Sequence, residues 1–321
     1  MRKAILIFMV LFLTASFAMA GGGRQAAPYP SRPVTIIVPL DVGGGTDIIA
    51  RALLTVMGNH FPQPMVVVNR PGGGTVLGTM EFIRSRPDGY TITINGWMTY
   101  VTLPHLTEVP FTPDDYIPIA RLNHMPRILS ANLDAPFNTL HEMITYARAN
   151  PNGINVGIGV VGDTAHLMFG ELEIAHGVSF NFVPMGGGAL IAGVLGGHVH
   201  VAAPNTAEIG AQVLAGQVRP LAMMAEERHP DFPDIMTSFE MGIPVEGSTE
   251  AYVLAPRGTP PEILQKLEET FRNVVADPDL RPLAQRLNLG LNFLGSADAA
   301  RRLQESYERF GYLIRRMGIG I

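Results

Sequence analysis

Apolar runs and amphipathic segments alternate along most of the chain. Residues 34–38 (VTIIV) and 65–68 (MVVV) are rich in β-branched residues, which is the pattern of strands that are buried on both faces. Between these runs, apolar residues recur at helical spacing from Ile49 to Met57. Alternating strand and helix patterns of this kind are typical of an α/β fold in which crossover helices connect parallel strands.

The alternation continues to the C-terminus and divides into two units. Further strands are predicted near residues 90–94, 128–131, 154–156, 180–183, 199–203, 218–224 and 251–256. Further helices are predicted near residues 75–85, 140–149, 165–175, 189–195, 259–275, 279–287 and 297–315. We expect residues 29–127 with 252–321 to form domain 1 and residues 128–251 to form domain 2. Two such α/β domains suit a solute that is gripped in the cleft between them by hinge closure.

Glycine-rich or polar loops follow the predicted strands. Residues 39–47 (PLDVGGGTD) stand between the first strand and the first helix, and residues 69–75 and 95–99 follow the next two strands. Ligands of open parallel sheets bind beyond the carboxyl ends of the strands, which is where these loops lie. Glycine lets the backbone approach a small ligand, and a helix N-terminus offers free N–H groups to an anion. We therefore interpret residues 39–47 as a carboxylate site, with a well-capped turn that holds no ligand as the alternative.

Side chains near such loops add to the candidate site. Trp97 is the only tryptophan and follows a strand end, where it either lines the cleft or packs in the core. His166 stands early in a helix after a glycine-rich loop, and it either donates a hydrogen bond to a bound anion or has a packing or capping role. The charge of Asp47 opposes an anion, so this residue either caps its helix or contacts the solute through water or a donor group. The N–H groups of Gly44 to Asp47 remain the main predicted contact with a carboxylate.

Composition and motifs argue against several classes of function. The net charge is -5 and no basic run is present, so nucleic acid is a poor candidate partner; the absence of cysteine excludes disulfides and thiolate chemistry. Gly157-x-Gly159-x-x-Gly162 matches the dinucleotide fingerprint, but the next strand ends without the acidic residue that binds the ribose. His198 and His200 lack a third metal ligand at a fixed spacing. No phosphate-loop lysine or nucleophile-elbow serine is present. We predict no cofactor, no metal site and no catalytic residues.

The N-terminus has the features of a secretory signal peptide. A positive pair at residues 2–3 precedes an apolar run at residues 4–17, and residues 18–20 (AMA) match a cleavage site. The apolar run is shorter than the roughly 20 residues that a membrane span needs. We predict that residues 1–20 are a cleaved signal peptide, that residues 21–28 are a flexible leader and that the mature protein is periplasmic. An uncleaved membrane anchor is the alternative.

Short segments between about Tyr29 and Gly318 have the order and spacing of a known family. They are YPSRP at 29–33, VP at 38–39, GGGTD at 43–47, AR at 50–51, NRPG at 69–72, PDGYT at 87–91, LGG at 195–197, AGQVR at 215–219 and APRGTP at 255–260. On these segments the chain resembles the solute-binding proteins of tripartite tricarboxylate transporters, often called the Bug family. The resemblance implies a periplasmic-binding-protein fold, type II-like, of two α/β domains with a ligand cleft between them. It also implies capture of a small carboxylate by backbone N–H groups and ordered water, and delivery to membrane permease subunits.

The resemblance extends the candidate site into the second domain. In the family, the loops that here span Gly43–Asp47 and Gly157–Thr164 line the site, as does the position of Asn205. The full set of predicted ligand-binding residues is Val42, Gly43, Gly44, Gly45, Thr46, Asp47, Asn95, Trp97, Gly157, Ile158, Gly159, Gly162, Asp163, Thr164, His166, Met185 and Asn205.

The chain departs from the family pattern in the second-domain part of this site. Ile158 and Gly159 take positions that usually hold serines, Ala165 replaces a threonine, and Pro204 replaces an acidic residue. The usual Pro-Tyr-Lys-Gly becomes PMGG at residues 184–187. These changes remove hydroxyls and an acid but leave the backbone donors in place. We therefore expect a carboxylate with an apolar or aromatic body rather than citrate.

Together, these patterns predict a monomeric periplasmic solute-binding protein. It would capture a small organic carboxylate for a tripartite tricarboxylate-type membrane transporter and would have no enzyme activity. A ligand-sensing subunit for a membrane signalling partner is the first alternative, because sensing needs the same closing cleft. An exported α/β enzyme is less favoured, because no nucleophile–base pair or metal-ligand set stands at a useful spacing.

Overall fold

A mixed ten-stranded sheet organises the fold in a computed structural model that describes residues 28–321. The strands are β1 (Val34–Val38), β2 (Met65–Asn69), β3 (Thr91–Gly96), β4 (Tyr116–Ala131), β5 (Asn155–Ile158), β6 (Asn181–Pro184), β7 (Val201–Ala202), β8 (Arg219–Met224), β9 (Ser248–Pro256) and β10 (Leu291–Gly295). The α-helices of the described residues are α1 (Gly45–Met57), α2 (Val76–Ile83), α3 (Met98–Val101), α4 (Leu103–Leu106), α5 (Leu140–Ala149), α6 (Thr164–His176), α7 (Gly187–Leu195), α8 (Thr206–Leu214), α9 (Pro261–Ala276), α10 (Arg281–Arg286) and α11 (Ser296–Met317).

The predicted signal peptide, residues 1–20, lies outside the described residues, as does the leader up to residue 27. Residues 32–321 pack as one compact unit, and residues 28–31 belong to a separate one. Among residues 28–321, no helix combines the length and the apolar character that crossing a membrane requires.

The sheet order is β2-β1-β3-β9-β4-β7-β5-β6, and β8 and β10 also pair with β4. Strand β1 runs parallel to β2 and β3, and β5 runs parallel to β6 and β7. The central pairs β3–β9 and β4–β9 are antiparallel, as are the pairs of β4 with β7, β8 and β10. The prediction of a parallel sheet is therefore wrong for the centre. The chain leaves the half of the sheet that holds β1 to β3 through β4 and returns to it through β9. These two strands are neighbours and run in opposite directions, so they pair antiparallel.

Strand β4 joins two halves of the sheet, which we call lobes. Its residues up to Pro126 pair with β9, and from Arg127 onward it pairs with β8. Lobe 1 is built on β1, β2, β3, β9, β10 and the first part of β4, and lobe 2 is built on β5 to β8 and the end of β4. The two-domain α/β fold expected from the sequence is confirmed. The domain boundaries at 127/128 and 251/252 stay predictions.

Each lobe has its own apolar core beneath its helices. In lobe 1 the fully buried Phe82, Tyr100 and Tyr252 pack with the C-terminal helix α11. In lobe 2 the core centres on Phe137 and Phe169, which are also fully buried. A second lobe 2 cluster lies under α7 and α8. Because burial of apolar area is the main favourable term in folding, each lobe has a source of stability of its own.

Helix α11 also connects the two lobes. Its Arg309 pairs with Glu171 of α6 and donates to the carbonyl of Glu246, 3.2 Å away. Leu167 of α6 belongs to the lobe 1 core, in which Leu313 of α11 is buried. The C-terminal helix, which the sequence predicts only as the last helix near residues 297–315, is therefore shared by both lobes.

Candidate functional site

A cavity of about 460 Å³ opens between the two lobes. Its lining comes from the loop after β1, the start of α1, the facing strands β4 and β9, the start of α8 and the segment before β10. The lining residues are Leu40, Asp41, Gly44, Gly45, Thr46, Ile48, Ile49, Gly96, Asn123, Met125, Asn205, Ala207, Glu208, Thr249, Glu250, Ala251, Leu287, Asn288 and Leu289. A volume of this size lies within the range of about 300–1,000 Å³ that small-molecule sites occupy.

The N-terminus of α1 forms the lobe 1 side of the cavity. The chain leaves β1, turns at Gly43 with a φ of 83° that favours glycine, and enters the helix at Gly45. Among the described residues, the N–H groups of Gly45, Thr46 and Asp47 have no hydrogen-bond acceptor. The first N–H groups of a helix have no partner within it and carry partial positive charge. This end of α1 can therefore bind an anion.

Asp47 stabilises this loop from behind. Its carboxylate is only 1% exposed and accepts hydrogen bonds from the N–H of Gly43 at 2.9 Å, Asn69 Nδ2 at 3.0 Å and Arg51 Nε at 2.9 Å. Burial alone would raise the pKa of Asp47, but the hydrogen bonds from Arg51, Gly43 and Asn69 outweigh it and lower the pKa. The predicted conflict between Asp47 and an anion is thus resolved, because Arg51 neutralises the carboxylate and the side chain does not line the cavity.

The N-terminus of α8 forms the lobe 2 side. Asn205 and Glu208 make a reciprocal capping box: Glu208 N–H donates to Asn205 Oδ1 at 3.1 Å, and Asn205 N–H donates to Glu208 Oε2 at 3.0 Å. Asn205, Ala207 and Glu208 all line the cavity. Two helix N-termini, one from each lobe, therefore open on the same space.

The remaining walls are partly apolar. Leu40, Ile48 and Ile49 stand on one side, with Leu287 and Leu289 before β10. The floor is formed by Asn123 and Met125 of β4 and by Thr249 to Ala251 of β9. The apolar surface comes from lobe 1 and β4, whereas the sequence predicts it in the second domain. The preference for a carboxylate with an apolar body stays a prediction.

The loop between β5 and α6 repeats the design of the lobe 1 loop without lining this cavity. Asp163 accepts hydrogen bonds from the N–H groups of Gly159 at 2.8 Å, Val160 at 3.1 Å and His166 at 2.8 Å. His166 Nδ1 accepts from Gly162 N–H at 2.9 Å, so the neutral ring carries its proton on Nε2. Burial lowers the pKa of His166, which favours this neutral form. The ring packs edge-on against Phe182 and caps its own loop.

Of the predicted site residues, the structure brings Gly44, Gly45, Thr46 and Asn205 to the cavity. The others do not line it, and they are Val42, Gly43, Asp47, Asn95, Trp97, Gly157, Ile158, Gly159, Gly162, Asp163, Thr164, His166 and Met185. Val42 is 72% exposed, whereas Trp97 is buried against Phe310 at a ring distance of 4.9 Å. The packing alternative is therefore the one that the structure shows for Trp97.

Sequence reasoning misses the β4 and β9 residues of the floor. Asn123 and Met125 lie in the first part of β4, which carries no clear strand pattern because polar residues and two prolines interrupt it. Ala207 and Glu208 are missed because α8 is not predicted. One signal for them exists, since Asn205 followed three residues later by Glu208 is the sequence form of a capping box.

A buried charge cluster lies next to the cavity floor. Glu250 is 3% exposed and accepts hydrogen bonds from Tyr252, Ser248, Arg121, Arg302 and His124 at 2.5 to 3.4 Å. Ligand atoms of His124, Glu246 and Glu250 lie within 4.8 Å of one another, as in a metal site. Arg302 contacts both carboxylates, so a guanidinium already supplies the positive charge that a metal ion would bring.

A family model for tripartite tricarboxylate transporter family receptors matches residues 49–319. The chain belongs to this family. The resemblance inferred from the short sequence segments is thereby confirmed, and the receptor is a solute-binding protein of the Bug type. One relative is the protein BugT of Bordetella pertussis. It is 29% identical to this chain over 269 residues, which cover 82% of this chain and 82% of BugT.

Solved structures of similar proteins agree with the fold of this receptor. A solute-binding protein of the family from Polaromonas has a TM-score of 0.84 at 32% identity, covering 90% of this chain and 99% of that one. An R. palustris protein solved with adipate has a TM-score of 0.73 at 27% identity, covering 91% and 99%. MatC from Rhodopseudomonas palustris, solved with malate, has a TM-score of 0.69 at 26% identity, covering 89% and 100%.

Proposed function

We propose that this receptor binds a small organic carboxylate in the cavity between its lobes. The observation that carries the proposal is the N-terminus of α1, where the N–H groups of Gly45, Thr46 and Asp47 have no acceptor among the described residues while Gly45 and Thr46 line the cavity. A carboxylate there would accept charge-assisted hydrogen bonds and would face the positive end of the helix.

The ligand class follows from the neighbours and from the cavity walls. Similar receptors hold adipate and malate, which are acids with two carboxylates. The apolar residues of the cavity suit the carbon body of such an acid, while a helix N-terminus from each lobe suits its charged ends. We therefore propose a small dicarboxylate, gripped as the lobes close around it.

The biological setting is part of the same proposal. The sequence features of a signal peptide support export, and two similar structures carry the descriptions periplasmic transporter and periplasmic binding protein. In the periplasm a monomeric receptor would deliver its solute to the membrane permease subunits of a tripartite transporter. The proposed contact is made by backbone N–H groups, so the proposed role is binding without catalysis.

Thermal unfolding in a series of carboxylates tests this function. A solute at 100 times its dissociation constant adds about 2.7 kcal/mol to the stability of the folded state, so at least one acid should raise the melting temperature clearly. The series should include monocarboxylates, the dicarboxylates adipate and malate, and the tricarboxylate citrate, with adipamide as the uncharged control. Stabilisation by adipamide as large as that by adipate, or no shift with any acid, would contradict the proposal.

A further inference from the structure

Arg127 stands where β4 passes from lobe 1 to lobe 2 and makes no ion pair with any residue from 28 to 321. Its Nη1 donates to the carbonyl oxygen of Ala203 at 2.6 Å, and its Nε is buried without a hydrogen-bond partner. Among the described residues, no carboxylate oxygen lies within 4.0 Å of a guanidinium nitrogen of Arg127, the distance that defines an ion pair. Arg121, Arg302 and Arg309 near the same junction all have such carboxylates. Arg127 therefore differs from its neighbours in lacking one.

The position of Arg127 relates it to the cavity. Side chains alternate along a strand, and Asn123 and Met125 of β4 both line the cavity, so Arg127 follows on the same face. The backbone of Arg127 pairs with that of Asn205 in an antiparallel bridge, and Asn205 also lines the cavity. The guanidinium thus lies near the N-terminus of α8, next to the cavity but not among the residues that line it.

Two carboxylates act on Arg127 without forming an ion pair with it. The nearest attractive charges are Asp163 and Glu208, but both carboxylates are hydrogen-bonded to N–H groups at the starts of α6 and α8. Burial lowers the pKa of Arg127, and these two acids oppose that effect only in part. A guanidinium beside the positive end of a helix is disfavoured unless a negative charge joins it.

The surrounding packing leaves room for this side chain. The N–H of Arg127 donates a hydrogen bond to the carbonyl oxygen of Gly247 at 2.9 Å. A Cβ atom at Gly247 would lie 2.9 Å from Met168 Sδ, closer than real Cβ atoms come, and 3.4 Å from Arg127 Cδ, an ordinary contact distance. The glycine therefore makes room for Met168, beside which Arg127 packs.

We propose that Arg127 binds one carboxylate of the solute from lobe 2, while the N-terminus of α1 binds the other from lobe 1. This inference rests on the proposed function and makes it more specific. It assigns lobe 2 recognition to a cationic side chain of this chain. The ligand class is an acid with two carboxylates on a short carbon body, and an acid with one carboxylate should bind more weakly.

Calorimetry on Arg127→Gln and the unchanged protein tests the assignment with two matched pairs of acids. Adipate is compared with hexanoate, and malate with 3-hydroxybutyrate, because each second acid lacks one carboxylate of the first. Arg219→Gln is the control, since Arg219 likewise donates only to backbone carbonyls, those of Phe137 and Leu133, but stands opposite Ala131 at the far end of β4 from the cavity floor. Arg127→Lys keeps the charge at the same position.

The unchanged protein should prefer a dicarboxylate over its matched monocarboxylate. Arg127→Gln should weaken dicarboxylate binding about 10- to 100-fold, as expected for a lost charge-assisted hydrogen bond, while the monocarboxylate and the melting temperature change little. Arg127→Lys should recover part of the preference, and Arg219→Gln should keep all of it.

Three results would overturn the assignment, and they can be told apart. Equal dicarboxylate binding by Arg127→Gln and the unchanged protein would refute the role of Arg127 alone. A fall in melting temperature with equal losses for both acids of a pair would show that the arginine only supports the structure through Ala203. Failure of the unchanged protein to bind any of the four acids would refute the proposed dicarboxylate function itself.

Discussion

Replacing Glu250 by alanine is expected to lower the free energy of unfolding by about 3–5 kcal/mol, the usual cost of removing one partner from a buried ion pair. The substitution leaves Arg302, Arg121 and the hydroxyl of Tyr252 facing a buried space without their shared acceptor. Glu250 also lies on β9, where it pairs with His124 of β4. The loss of stability is therefore expected where the two lobes are joined. Urea unfolding measures this loss.

A surface ion pair provides the control for Glu250. Arg70 and Glu81 are 48% and 49% exposed, and Glu81→Ala should cost less than about 1 kcal/mol because exposed pairs contribute little. Similar losses for the two variants would show that the Glu250 cluster contributes no more than a surface contact.

The Glu250 cluster also predicts a dependence of stability on pH. Burial would raise the pKa of Glu250, but the hydrogen bond from His124 and the charges of Arg302 and Arg121 hold it far below the ordinary value of 4.5. A lowered folded-state pKa means that the stabilisation is complete above pH 4.5 and is lost as the pH falls below it. The stability difference between the unchanged protein and Glu250→Ala should therefore shrink as the solution is acidified below pH 4.5.

Replacing Gly45 by valine is expected to weaken carboxylate binding by about 100-fold or more, with little change in stability. A Cβ atom at Gly45 meets no other atom within 4 Å, so the fold accepts a side chain there. The same side chain would occupy cavity space in front of the N–H groups of α1 and would prevent about two charge-assisted hydrogen bonds. Calorimetry with adipate and a thermal melt separate the effect on binding from the effect on folding.

Gly58→Val is the matched control for Gly45→Val. Gly58 ends the same helix with a φ of -62°, and a Cβ atom there also meets nothing within 4 Å, but the residue lies outside the cavity. This variant should bind adipate as the unchanged protein does. If Gly45→Val also kept full affinity, the carboxylate could not be held at the start of α1.

The sequence predicts those parts of the fold in which local pattern and tertiary role agree. Strand β1, helix α1 and helix α5 lie where apolar periodicity and flanking turns place them. The missed elements depend on distant partners. Strand β10 is stabilised by pairing with β4, and the first part of β4 by its long pairing with β9. Such long-range pairing has no local signal, so β-propensity alone cannot reveal it.

The candidate site divides in the same way. The loop at Gly44 to Thr46 is predicted from glycine content and from the strand before it, and it lines the cavity. In the sequence Arg127 is only the last residue before a predicted strand. Its unusual character is that no carboxylate of the described residues forms an ion pair with it, which only the arrangement of β4 beside Asn205 and Gly247 makes visible.

A crystal structure of the complex with adipate would show where the carboxylate is held. We expect one carboxylate in the cavity between the lobes, with an oxygen about 2.7–3.2 Å from the N–H groups of Gly45 to Asp47. Adipate bound outside the cavity, or held there by side chains alone with those N–H groups still without an acceptor, would contradict it.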